Sequence, residues 1–140
     1  MVKLFGMMIV LLLTACLYGQ TTEDFQTTFN HMAFPVKNLQ TSVDFYKRTL
    51  NLKEIVNRTE NPNIRWLSLG DGKELHLISN TNDPVKVSKA VHLALSTSNI
   101  HTVVEHLKNL KVPFSDWAGI QNSLNTRADG VMQIYFQDPD

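Results

Sequence analysis

Three histidines and a glutamate carry the chemistry that can be read from this chain. His31 and His92 hold the same place in a unit that occurs twice. Adding 61 to the numbering carries His31 to His92, Ala33 to Ala94, Asn38 to Asn99, Val43 to Val104 and Lys47 to Lys108. In a third segment, Glu74 and His76 fall on one alternation and Leu75 and Leu77 on the other. Imidazole is the commonest metal ligand and the side chain that most readily exchanges a proton near neutral pH. A lone histidine on an apolar strand reads as a buried ring satisfied by a backbone group. Two at equivalent positions of a repeat turn the reading towards a shared metal ion.

The elements that must hold these residues follow from periodicity. Residues 29–36 alternate as a strand, with His31, Ala33 and Phe29 on one side and Asn30, Met32 and Phe34 on the other. Asn38 is placed to cap a helix in which Leu39, Val43, Tyr46 and Leu50 recur at helical spacing, widened by Phe45 and ending near Asn51. Strands are predicted at 53–57 and 64–69, separated by a turn over 58–63. The tight turn Gly70-Asp71-Gly72 then leads to a last strand at 74–79. The order is βαβββ. It begins again with a strand at 91–96, a helix capped by Ser98 or Asn99, a short strand at 113–117, a loop over 118–129 and a strand at 131–137. A fourth strand of this second module is missing. The fold class expected is α+β: two tandem βαβββ modules, 29–80 and 91–140, joined by a linker over 81–90. They form an open, cup-shaped mixed sheet with helices outside.

Composition narrows the function. Thirteen basic residues balance 13 acidic ones, and the single cysteine cannot form an internal disulfide. Nothing in that balance invites nucleic acid or an anionic surface. Residues 1–20 read as a secretory signal: Lys3 precedes an apolar run over 4–13 that is shorter than the about 20 residues a spanning helix needs. Leu13-Thr14-Ala15-Cys16 resembles a bacterial lipobox, which makes Cys16 the lipidation site; ordinary cleavage near Gly19 is the other reading. Residues 21–28 are a polar tether. The expected location is therefore the bacterial envelope, periplasmic or anchored to the membrane by lipid.

Four stretches, N-H-M-A-F-P-V-K-N-L-x-x-S-x-x-F-Y, L-G-D-G-K-E-L-H-L, V-H-L-A-L-S and Q-D-P-D, span the chain after the signal. In that order and spacing they resemble the vicinal oxygen chelate superfamily. That superfamily includes glyoxalase I, methylmalonyl-CoA epimerase, extradiol dioxygenases and the fosfomycin- and bleomycin-resistance proteins. The resemblance implies a cup of eight strands around one divalent metal ion (nickel, zinc, iron, cobalt or manganese). It implies His31, His76 and His92 as ligands, with Glu74 as a neighbour that orients them or as an alternative ligand. The family's fourth ligand, a glutamate that would serve as the base, falls five places beyond Asp140, as His76 falls five places after Asp71.

The function this resemblance implies is a metal-dependent lyase, isomerase or epimerase like glyoxalase I. It would act on a small 2-oxo or 2-hydroxy compound through a metal-chelated enediolate. An extradiol-type Fe(II) dioxygenase and a non-catalytic antibiotic-binding module are the alternatives. Trp66, Arg127 and Tyr135 are candidates for the substrate pocket, against a plainer reading as core aromatics and a surface charge. A small-molecule substrate is the expected partner, and the readings leave room for a lipid anchor and a homodimer. A chain stopping inside Asp138-Pro139-Asp140 reads as a fragment whose 140 residues bind metal poorly and are inactive.

Overall fold

The computed structural model describes residues 25–79, 88 and 90–140. The signal, Cys16, residues 21–24 of the tether and nearly all of the linker lie outside the described residues. Module one forms as its pattern predicts: β1 (His31–Pro35), α1 (Leu39–Leu50), β2 (Lys53–Ile55), β3 (Ile64–Gly70) and β4 (Lys73–Ile78). The strands order as β1-β4-β3-β2, with β1 parallel to β4 and the other pairs antiparallel. Asn38 caps α1 by accepting a hydrogen bond from the Thr41 amide, and Asn51 ends it in the left-handed conformation. Gly70, Asp71 and Gly72 all have positive φ, which turns β3 tightly into β4.

Alternation gives the sheet two unlike faces. Leu67, Leu75 and Leu77 are fully buried on one face and join Val43, Phe45 and Tyr46 of α1 in the core. Cross-strand register puts His31 beside Glu74, Ala33 and Trp66 beside His76, and Ser68 beside Glu74 on the other face.

Module two supplies α2 (Ile100–Asn109), capped by Asn99, and four two-residue strands. β5 (Phe114–Ser115) pairs with β8 (Tyr135–Phe136), and β6 (Asn125–Thr126) with β7 (Met132–Gln133). Val104, Leu107, Val112 and Phe114 complete the same buried cluster, so both modules share one core. The fold is α+β with a four-stranded mixed sheet and, among the described residues, no closed barrel.

Two strand expectations need correction. Residues 91–96 form no strand; Val91 and Leu95 are 54% and 48% exposed. The physical reason lies in module one, where β1 is held in place by β4. Among the described residues module two has no counterpart of β4, and an extended segment without a ladder partner is not a strand. The strand expected at 131–137 divides at Ile134 into β7 and β8, which pair with different partners, and β6 lies in the stretch read as loop.

Asp138 and Asp140 fasten module two to α1. Asp140 Oδ2 accepts from the Lys37 amide at 2.7 Å and from Ser42 Oγ at 3.3 Å, while Tyr46 donates its hydroxyl to Asp138 at 3.4 Å. Burial, reinforced by the Asp138 charge, raises the Tyr46 pKa well above the phenol range. Burial also raises that of Asp138. A raised folded-state pKa means that the native state holds its proton longer than the unfolded chain, so stability falls as pH rises. Asp138 contributes such a fall above about pH 4 and Tyr46 another above about pH 10. Tyr46→Phe is expected to remove the alkaline fall. Urea unfolding at pH 7 and pH 11 should show the variant gaining on the wild type between the two.

Candidate functional site

The open face of the module-one sheet carries a stack of three rings. Trp66 on β3 lies flat against His76 on β4, with centroids 4.3 Å apart and planes 7° apart. His31 on β1 covers the other side of His76 at 4.4 Å and 16°. His76 Nε2 meets Glu74 Oε2 at 2.8 Å; these side chains are only 14% and 24% exposed. A carboxylate oxygen accepts, so the proton between them sits on Nε2, leaving Nδ1 of a neutral His76 as its lone-pair nitrogen. His31 Nδ1 lies 2.7 Å from Asn30 Oδ1, which by the same reasoning leaves His31 Nε2 as an acceptor.

The types gathered here (two imidazoles and a carboxylate) suit a divalent transition metal. Their present rotamers do not converge on one. An imidazole lone pair lies in the ring plane, and two nearly parallel planes stacked this closely do not meet at the about 2 Å distance of a metal–nitrogen bond. A shared ion therefore requires one ring to leave the stack; Nδ1 of His76 is open to it with Glu74 still on Nε2, and Glu74 would have to release His76 only to become a ligand itself. Among the described residues, no group of three or more His, Cys, Asp or Glu side chains is arranged to hold a metal.

The other residues singled out by sequence fall elsewhere. His92 lies edge-on to Tyr135 at 5.9 Å, and Tyr135 leans on Trp117 at 5.4 Å. His92 also lines a cavity with Phe29 and Lys73. Arg127 is paired with Asp129 beside the β6–β7 turn, and Arg65 with Glu54 across β2 and β3. That hydrogen bond holds the Glu54 carboxyl below its usual range. His106 bonds the Arg48 carbonyl at 2.9 Å, tying α2 to α1. Asn30, which fixes the His31 ring, escaped the sequence reading because alternation puts it on the opposite side. It precedes the first residue of β1, where alternation no longer binds.

The family model for the glyoxalase/bleomycin resistance protein/dioxygenase superfamily matches residues 28–140. Among solved structures, the oxidase ChaP-H2 superposes with a TM-score of 0.67 at 17% identity, covering 82% of this chain and 87% of that one. A lactoylglutathione lyase from Agrobacterium tumefaciens gives 0.57 at 16% identity, covering 81% and 87%. A glyoxalase/bleomycin resistance protein/dioxygenase from Alicyclobacillus acidocaldarius gives 0.57 at 20%, covering 80% and 83%. At these identities the likeness is one of fold.

Proposed function

The chain belongs to the glyoxalase/bleomycin resistance protein/dioxygenase superfamily, and on that premise we propose that it is a divalent-metal-dependent lyase, isomerase or epimerase acting on a small 2-oxo or 2-hydroxy compound. The observation that carries this reading is the meeting of His31, Glu74 and His76 on the open face of β1 and β4. His31 and His76 would hold the ion, with Glu74 or His92 completing the set. When bound, the ion supplies positive charge against an oxyanion on the substrate. Glu74 is the carboxylate this face presents. It orients His76 through the Nε2 hydrogen bond, or, once released, takes the proton from the carbon beside the carbonyl. Trp66 shields one flat side of His76 from water and limits how far the ring can turn.

Removal of a carbon-bound proton leaves a signature that needs no knowledge of the final product. The full gene product, loaded in turn with nickel, zinc, iron(II), cobalt and manganese, is incubated in deuterium oxide with a panel of 2-oxo and 2-hydroxy compounds. The expected result is metal-dependent loss of the proton signal at the carbon next to the carbonyl or carbinol in at least one compound. Oxygen uptake confined to the iron(II) form would point to a dioxygenase instead. Ligand binding without exchange under any metal would make this a binding module.

A further inference from the structure

A hollow away from the ring stack lies at the end of the module-one sheet. It is a cavity of about 350 Å³, lined by Phe29, Leu69, Lys73 and residues 92–95. That volume is at the small end of the about 300–1,000 Å³ range of ligand sites. The lining is five apolar side chains, one ammonium and one imidazole, with no carboxylate. Lys73 is half-buried, and no carboxylate among the described residues pairs with it. Its neighbour Glu74 is turned to His76 instead. Alternation along β4 sends Lys73 to the side of the sheet away from Glu74 and His76, and none of the stacked rings of His31, Trp66 and His76 lines the cavity. Residues 92–95, which supply four of the seven lining residues, lie in no ladder among the described residues.

A half-buried cation with no counter-charge among the described residues, set among apolar side chains, is matched by an anion that brings an apolar body with it. We propose that this cavity binds a small monocarboxylate with a hydrocarbon or aryl body. The carboxylate meets Lys73, with His92 as a second donor, and the body lies against Phe29, Leu69 and Leu93. This site uses none of His31, Glu74 and His76, and it shares His92 with one of the two ligand sets proposed above.

The test is calorimetric titration of the full chain, stripped of metal by a chelator, with octanoate, octanamide and octylamine. Octanoate is expected to bind about tenfold or more tightly than the amide, with no binding of the amine. Lys73→Gln and Ala94→Asp, the second of which puts a carboxylate into the lining, are each expected to weaken octanoate about tenfold, while Lys73→Arg retains it. The proposal is overturned if octanoate gives no heat at millimolar concentration, if the amine binds as well, or if both charge variants bind unchanged. It is overturned equally if His31→Ala abolishes binding, because the ligand would then sit on the histidine face. Since no metal is present, failure here leaves the deuterium-exchange result untouched, and the reverse also holds.

Discussion

His76→Ala is expected to lower metal-dependent proton exchange by about a hundredfold or more and to weaken zinc binding by about ten- to a hundredfold. His76 stands at the centre of its face: Trp66 covers one side, His31 the other, and Glu74 holds its Nε2. On the proposed reading its removal takes away one of the ion's ligands, and it also strips Glu74 of its hydrogen-bond partner and His31 of the ring it stacks on. Glu74→Gln separates the two roles open to the carboxylate. The amide keeps a hydrogen bond to His76 but loses the charge, so a residue that only orients the ring loses about tenfold. A loss as large as that of His76→Ala would exchange the roles, with Glu74 the ligand and His76 its support. His101→Ala, on the exposed side of α2, is the control and is expected to change neither reading. Circular dichroism of each variant checks that the sheet is intact.

Module one was legible because each of its signals is local or periodic. Asn38 caps as read, Asn99 is the one of the two caps offered (Ser98 or Asn99) that does so, Gly70-Asp71-Gly72 turns as read, and the alternation of Glu74, Leu75, His76 and Leu77 sorts them to the faces expected. Residues 91–96 repeat the pattern of β1 and still make no strand. Alternation specifies which side faces the core, while a ladder needs a partner that may lie anywhere in the chain. The same gap explains His92. Its repeat position matches that of His31, but without a sheet to hold the segment the match does not fix where the ring goes. The stack itself was not readable either. Trp66 and His76 are ten residues apart and meet only through the β3–β4 register. Whether their rings lie flat or edge-on depends on side-chain torsions that their neighbours decide.

Leu75→Ala is the substitution expected to cost the most stability, about 2–5 kcal/mol. Leu75 is fully buried on β4, opposite Leu67 on β3 and Met32 on β1, with α1 over it. A strand cannot move to fill the hole without breaking the register that sets Glu74 and His76 on the other face. Single domains are typically stable by only about 5–15 kcal/mol, so the loss should be plain in urea unfolding. Leu95→Ala, at an exposed position, should change stability by no more than about 0.5 kcal/mol. Leu107→Ala extends the test to α2. Leu107 is fully buried in the same cluster as Leu75, so both variants should shift one cooperative transition. If Leu107→Ala instead splits the transition in two, the shared cluster does not couple the modules, and the polar contacts of Asp138, Asp140 and His106 with α1 and its N-terminal turn would be left to hold them together.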